Sequence, residues 1–221
     1  MDLPGLICPT SDQTETIDRL ACMMGESFME ENWTRTLLDA LDGVANEPRK
    51  QEISTAIAQG DFTSGAPYQC CYALPDYTAC AGAYLRSDLG NRTWSSIEND
   101  ATVHLVENVL TPEESLLFIE ESHRLRDVSV FDWEEDAAQG NDFIHFYMLG
   151  VDVRKRGSGA FRRLVEPFFA YADEVGIPCF LETYSENLES LYRHMGFETV
   201  DVLTSPLTPL VERCMTRSPR S

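Results

Sequence analysis

The stretch from Phe143 to Phe197 constrains the fold most, because its pattern predicts strand, glycine turn, helix, strand and short helix. Phe143 to Leu149 is apolar on both faces, as a buried central strand is. After the turn at 156–160, apolar residues recur with the periodicity of one helix face until Gly176 ends the helix. Cys179 to Thr183 is a second buried strand. Such a unit directs free N–H groups and the positive end of the helix dipole at the turn, which predicts an anion site.

The turn is unusually cationic for this chain, which has 17 Lys and Arg against 37 Asp and Glu and a net charge of −20. Five cations lie within ten residues: Arg154, Lys155, Arg156, Arg162 and Arg163. A purely structural turn explains the glycines but not these cations. A Walker A string is absent from the sequence, and Arg162 occupies the sixth position that a dinucleotide fingerprint reserves for glycine. Gly157 and Gly159 would let a phosphate approach the backbone closely.

Leu149 to Ala160 resembles motif A of the GNAT superfamily of acyl-CoA N-acyltransferases. Leu181 to Thr183 and Leu191 to Glu198 resemble the motif that follows it, which ends in Tyr-x-x-x-Gly-Phe. The resemblance covers about 143–198. It departs at Phe161, where the register set by Val151 and Arg156 requires a small residue. An alternative register, Arg154-x-x-Gly157-x-Gly159, satisfies the motif but shifts the strand by two residues. We prefer the register set by Val151 and Arg156, because its spacing to the downstream strand needs no gap.

The resemblance implies acetyl-CoA as the cofactor, with the pantetheine arm on the central strand and the pyrophosphate at the turn. Phe161 either narrows this site or points away while its N–H donates. Asn187 begins the short helix and is more simply an N-cap than a cofactor ligand. The implied cofactor-binding residues are Leu149, Gly150, Val151, Arg156, Gly157, Ser158, Gly159, Ala160, Phe161, Asn187 and Tyr192.

The catalytic candidates are Tyr192, His145 and Glu182. The resemblance places Tyr192 beside the cofactor sulfur as general acid. His145, in the central strand, is either the base that deprotonates the amine or a satisfied core histidine. Glu182, on the next strand, would have a raised pKa if it is buried between the strands. A Ser/His/Asp order and a metal-ligand cluster are not apparent, so we predict no metal.

The predicted fold class is α+β, an α/β sandwich with a mixed, mostly antiparallel sheet of about seven strands flanked by helices. We expect a single domain over 1–221, with an insertion at 86–142 before the central strand. The insertion contains a helix start at Thr111-Pro112 and an acidic loop at 132–142, and either controls the acceptor or decorates the surface. The predicted strands are Leu6 to Cys8, Tyr68 to Leu74, Thr78 to Leu85, Phe143 to Leu149, Cys179 to Thr183, Phe197 to Leu203 and Leu210 to Thr216.

The charge of −20 argues against nucleic acid and anionic membranes as partners. It either attracts a cationic substrate such as an amine or simply solvates the surface. Seven cysteines without a CxxC motif indicate a reducing compartment, which predicts a cytoplasmic protein. The N-terminus lacks the basic and apolar regions of a signal peptide, and no apolar run is long enough to cross a membrane.

The sequence therefore predicts an N-acetyltransferase that transfers an acetyl group from acetyl-CoA to a primary amine by direct attack. The acceptor is a small-molecule or peptide amine whose identity stays open, as do acyl-chain preference, the general base and the oligomeric state, a homodimer included. One alternative is a coenzyme A-binding sensor or interaction protein without turnover. Another is an interaction domain that binds no nucleotide.

Overall fold

The computed structural model describes residues 1–220, which form eight α-helices and six β-strands. The helices are α1 Thr14–Phe28, α2 Asn32–Asp39, α3 Glu47–Gly65, α4 Trp94–Asn108, α5 Pro112–Leu125, α6 Trp133–Ala138, α7 Ala160–Val175 and α8 Glu186–His194. The strands are β1 Cys71–Ala73, β2 Ala79–Leu85, β3 Ile144–Val151, β4 Cys179–Thr183, β5 Glu198–Ser205 and β6 Thr208–Arg217.

The strands form one mixed sheet in the order β1-β2-β3-β4-β6-β5. Only β3 and β4 are parallel, because α7 carries the chain back across the sheet between them. The other four pairs are antiparallel. The predicted mixed, mostly antiparallel sheet is therefore confirmed.

The prediction of about seven strands was wrong by one, and the missing strand is Leu6 to Cys8. Ile7 makes a single antiparallel bridge to Ala73, with hydrogen bonds of 2.8 and 2.9 Å. Two residues further along the chain, Pro9 has no N–H to donate to the next hydrogen bond between the strands. The pairing therefore stops after one bridge.

Helices cover both faces of the sheet. On one face, Leu164 and Phe168 of α7 pack against the sheet, where the Phe168 ring lies edge-on to Phe146 at 5.0 Å between centroids. On the other face, Leu20 and Met24 of α1 pack with α3 against the opposite side chains of the sheet. The apolar face predicted from the spacing in α7 is the face that is buried.

The sheet opens beside β3, and this opening positions the site. β3 pairs with β4 only from Ile144 to Phe146, although β3 continues to Val151. The register between β2 and β3 also shifts between Gly82 and Ala83, which leaves Tyr147 as an extra residue in β3. A Cβ on Gly82 would lie 2.3 Å from the Tyr147 ring, so only glycine fits under it. β2 stays paired with β3 to Val151, whereas β3 and β4 part beyond Phe146 and leave a cleft.

The segment 86–142 is more helical than predicted. The helix start at Thr111 is confirmed, since Thr111 and Glu114 form a reciprocal capping box. Helix α4 was missed because serine, asparagine, aspartate and threonine, which have low helix propensity, separate its buried residues. The predicted acidic loop contains α6. This helix begins after Asp132, whose backbone is left-handed with φ 58°.

Within residues 1–220, no helix has the combination of length and apolar character that crossing a membrane requires.

We expect Gly25→Ala to destabilise the contact between α1 and α3. A Cβ at position 25 would lie 2.6 Å from Cα of Thr55, a backbone atom that cannot move by itself. Overpacking of this kind costs about 1–3 kcal/mol, which urea unfolding would measure. Gly60→Ala is the matched control, because the nearest atom to its Cβ would be Cβ of Ala101 at 3.3 Å. Equal stability of the two variants would show that α1 and α3 are not packed as described.

Candidate active site

A cavity of about 1220 Å³ opens where β3 and β4 part. Its walls include the end of β3, the glycine turn and the start of α7, and the inner side of α8. The segment 86–142 supplies another wall through Trp94 and Glu98 of α4 and Glu134 of α6. A single cavity thus connects the predicted phosphate site with side chains of this segment.

The glycine turn presents bare backbone. Gly157 and Gly159 have φ of 76° and 81°, and a Cβ on either would meet nothing within 4 Å. Gly159 is the N-cap of α7, and no side chain of the described residues caps the helix there. The first N–H groups of α7 are therefore free to bind an anion.

Three of the five cations near the turn are already paired. Arg154 contacts Asp152 at 2.8 Å, Arg163 contacts Asp76 at 3.1 Å, and Arg156 contacts Glu30. These arginines are exposed, and exposed pairs are weak enough to exchange for a phosphate. The remaining two, Lys155 and Arg162, line the cavity and make no salt bridge with residues 1–220.

Nine of the eleven predicted cofactor residues line the cavity: Leu149, Val151, Arg156, Gly157, Gly159, Ala160, Phe161, Asn187 and Tyr192. The other two, Gly150 and Ser158, are not among its lining residues. Gly150 faces α1 instead, where a Cβ would lie 2.5 Å from Sδ of Met24. The structure therefore gives Gly150 a packing reason for being glycine.

Asn187 differs from the expectation, and the position of Phe161 is now defined. The N-cap of α8 is Ser185, whose Oγ accepts a hydrogen bond from the Leu188 N–H at 3.4 Å, so the N-cap role predicted for Asn187 was wrong. Phe161 is half-buried, and its ring lies 6.0 Å from the Tyr192 ring. It forms part of the cavity wall beside α8.

Tyr192 lies in the cavity wall with 6% of its surface exposed. Its ring packs between Phe161 and Phe197, each 6.0 Å away between centroids. Its hydroxyl makes no hydrogen bond within residues 1–220. Burial, and then the nearby charge of Glu31, raises the pKa of Tyr192, so the hydroxyl keeps its proton at neutral pH. A protonated, unpaired hydroxyl in a cavity can serve as a proton donor.

His145 is buried and has both ring nitrogens occupied. Nε2 lies 2.9 Å from Oε2 of Glu182, and Nδ1 lies 3.1 Å from the Tyr84 hydroxyl, which donates to Glu134 at 2.6 Å. Burial alone would lower the pKa of His145, but the carboxylates of Glu182 and Glu134 outweigh it and raise the pKa to about 9. At neutral pH His145 is therefore an imidazolium.

This charge state predicts how stability depends on pH. Because the folded pKa of His145 is raised from 6.5 to about 9, its stabilisation is complete below pH 6.5 and is lost as pH rises through 9. Over this window wild type should lose about 3 kcal/mol more unfolding free energy than His145→Gln. Urea unfolding at several pH values tests this, with the exposed His104→Gln as control. Parallel pH curves for wild type and His145→Gln would contradict the assignment.

The potential ligand atoms of Glu134, His145 and Glu182 all lie within 4.8 Å of one another, a spacing that could hold a metal ion. The structure thus brings together a set that was not apparent in the sequence. The groups also satisfy one another, since His145 bonds to Glu182, Tyr84 donates to Glu134 and Trp133 donates to Glu182. The absence of a metal stays a prediction.

The sequence did not point to several acidic groups in the cavity. They come from separate elements: Asp61 of α3, Glu98 of α4 and Glu212 of β6, whereas Glu134 of α6 lies in the acidic loop predicted at 132–142. Burial, and then the charge of Glu182, raises the pKa of Glu98 to about 7. Tyr84 was also missed, although alternation in β2 puts it directly opposite His145 in the sheet.

No family model matches the chain. A curated protein of Schizosaccharomyces pombe, an uncharacterised N-acetyltransferase, is 32% identical over 68 residues. That match covers 30% of this chain and 28% of the yeast protein.

Solved structures match over nearly the whole chain. A Corynebacterium glutamicum protein described as histone acetyltransferase HPA2 and related acetyltransferase has a TM-score of 0.55 at 14% identity and covers 100% of this chain and 98% of its own. Arylalkylamine N-acetyltransferase 2 from Aedes aegypti has a TM-score of 0.52 at 13% identity, covering 97% and 98%. A Drosophila melanogaster polyamine N-acetyltransferase that forms N-acetylagmatine has a TM-score of 0.50 at 14% identity, covering 96% and 98%. The chain therefore has the fold of the GNAT acetyltransferases, as predicted.

Proposed function

We propose that this protein transfers an acetyl group from acetyl-CoA to a primary amine by direct attack. One observation carries the proposal. A single cavity joins the glycine turn to the His145–Glu182 pair and contains the unpaired hydroxyl of Tyr192. The fold shared with N-acetyltransferases and the partial match to the yeast protein support the same reaction. A coenzyme A sensor without turnover is not favoured, because it would not need these groups beside the cofactor.

The hydrogen-bond donors and cations of the turn suit the diphosphate of acetyl-CoA. Free N–H groups at the start of α7 would bind the pyrophosphate, and Lys155 and Arg162 would add charge without breaking an ion pair. Arg156 would exchange Glu30 for a phosphate oxygen. Leu149 and Val151 lie where β3 has no β4 partner, so this edge of the strand would hold the pantetheine arm. Acetyl-CoA supplies the thioester carbonyl.

Groups of the chain would then stabilise the negative charges that form on the thioester oxygen and on the departing thiolate. Backbone N–H groups at the free edge of β3 would stabilise the thioester oxygen as it becomes negative. Tyr192 would protonate the departing thiolate, because its raised pKa keeps the proton available. Holding thioester and amine together in one cavity lowers the entropic cost of the attack.

The amine must lose a proton before or during attack, and we assign its removal to Glu182. His145 is a poor base, because its pKa of about 9 leaves it protonated and both nitrogens are engaged. As an imidazolium it would hold the Glu182 carboxylate in position through the Nε2 hydrogen bond. His145 is therefore a positioning residue, and the proton would pass to Glu182 directly or through water.

The insertion at 86–142 would form the acceptor side of the cavity. Its helices α4 and α6 contribute Trp94, Glu98 and Glu134 to the lining, and Asp132 lies at the start of α6. A wall this acidic favours a cationic acceptor. The experiment that tests the function is a panel of amines incubated with acetyl-CoA, with release of the free thiol as the readout. Release that depends on both protein and amine supports transfer, whereas tight acetyl-CoA binding with no release for any amine would favour a sensor.

A further inference from the structure

Asp61 is a buried acidic side chain without a partner. It lies on α3 with 7% of its surface exposed, and it lines the cavity. It makes no hydrogen bond and no salt bridge with residues 1–220. Neither carboxyl oxygen is fully enclosed, and the residue forms part of the cavity wall. A buried polar group without a partner is rare in proteins and calls for a ligand or a water.

Glu98, on the neighbouring helix α4, is a second acidic side chain in the cavity wall without a bonding partner. It is half-buried, lines the same cavity, and makes no hydrogen bond or salt bridge with the described residues. Helices α3 and α4 are close, since a Cβ on Gly60 would lie 3.3 Å from Cβ of Ala101. Burial, and then repulsion by Glu98, raises the pKa of Asp61. Two unpaired acids on neighbouring helices thus line the same cavity.

The surrounding side chains suit an organic cation. Trp94 and Tyr147 both line the cavity, and their rings stack with 3.6 Å between centroids. Aromatic faces attract ammonium and guanidinium groups, and carboxylates bind them through charge-assisted hydrogen bonds. The cavity cations Lys155, Arg156 and Arg162 belong to the glycine turn and are not partners of Asp61 or Glu98.

The catalytic cluster is separate in its bonding. Glu134, His145 and Glu182 bond to one another or to Tyr84 and Trp133. Asp61 and Glu98 take no part in those bonds, although the charge of Glu182 acts on Glu98 and raises its pKa. The reacting amine would meet Glu182, which leaves the Asp61–Glu98 pair for another positive group of the same molecule.

We propose that Asp61 and Glu98 form a cation subsite that holds a second ammonium or guanidinium group of the acceptor, so that the preferred substrate carries two cationic groups. The inference rests on the proposed function, and it names the substrate class. One amine of the acceptor is acetylated beside Glu182 while the distal cation pairs with Asp61 and Glu98. Binding the cation lets both carboxyl groups ionise, which the empty site opposes.

Calorimetry and kinetics with matched amines test the subsite. Putrescine, a diamine, is compared with butylamine, a monoamine with the same carbon chain, and longer linear diamines define the preferred length. Wild type should bind the best diamine about 10- to 100-fold more tightly than the corresponding monoamine, and the ratio of kcat/KM should follow. Asp61→Asn and Glu98→Gln should reduce both ratios toward one. Glu52→Gln, an equal loss of charge on the exposed side of α3, should keep them.

Thermal unfolding separates binding from a structural role of Asp61. Removing an unpaired buried acid should raise the Tm of Asp61→Asn in the absence of ligand, by about 2–4 °C for a chain of this size. Putrescine should raise the Tm of wild type and of Glu52→Gln, but not that of Asp61→Asn. A large fall in the Tm of Asp61→Asn without ligand would show that Asp61 supports the fold and would overturn the proposal.

The two proposals fail in different ways. If diamines bind through Asp61 by calorimetry but no amine releases thiol from acetyl-CoA, the subsite stands and the acetyltransferase function fails. If monoamines and diamines are acetylated equally well, and Asp61→Asn leaves their ratio as in wild type, the function stands and the subsite is refuted.

Discussion

Gly159→Glu should abolish acetyl-CoA binding while leaving the sheet and helices intact. Gly159 is the N-cap of α7, and its backbone is bare on the side of the cavity. A glutamate there would place a bulky anion at the proposed pyrophosphate site and would occupy the free N–H groups of the helix. We expect calorimetric titration with acetyl-CoA to give no measurable heat of binding, and circular dichroism to show the wild-type helix content.

Gly159→Ala is the matched control for backbone strain. Because φ at position 159 is 81°, any side chain there is strained, and alanine carries this strain without the charge. Alanine should weaken binding far less than glutamate, and both variants should lose similar unfolding free energy. If Gly159→Glu binds acetyl-CoA as tightly as wild type, the cofactor site lies elsewhere.

Tyr192→Phe should lower kcat by about 10²–10⁴-fold, with little change in affinity for acetyl-CoA. The substitution keeps the ring between Phe161 and Phe197 and removes only the hydroxyl, which has no partner in the described chain. Rapid-mixing measurements of thiol release would establish that the chemical step limits the rate in both proteins.

Tyr171→Phe provides the control for the loss of a tyrosine hydroxyl elsewhere. Tyr171 lies on α7, is half-buried and is not among the residues that line the cavity. Its variant should turn over at the wild-type rate. If Tyr192→Phe also does so, with chemistry limiting the rate, then water or another residue protonates the thiolate.

The fold was predictable where local patterns determine it. The buried strand, glycine turn and helical spacing between Phe143 and Gly176 are local features, and β3, α7 and the left-handed C-cap at Gly176 follow from them. The capping box at Thr111 is local as well. The strand predicted at Leu6 to Cys8 was wrong, because strand pairing depends on a partner strand and on the neighbouring Pro9. Helix α6 was missed because a helix of six residues shows little periodicity.

The candidate site was predictable only in part. The residues proposed to bind the cofactor all lie within 149–192, so contiguous motifs predicted them, and nine of them line the cavity. The acidic side combines α3, α4, α6, β4 and β6, which are far apart in the chain. The pairing of Arg156 with Glu30 spans 126 positions and is equally invisible in sequence. The charge of His145 depends on carboxylates that the fold brings to it. Dimerisation and a cytoplasmic location stay predictions.

Transfer of a labelled acetyl group tests the central claim most directly. Wild-type protein and Gly159→Glu are each incubated with acetyl-CoA carrying carbon-13 in the acetyl group and with putrescine, and the amine is analysed by mass spectrometry. We expect labelled N-acetylputrescine and an equal amount of free thiol with wild type, and neither above background with Gly159→Glu. Unlabelled amine after long incubation of acetyl-CoA-bound wild type, with putrescine and with every other amine of the panel, would contradict it.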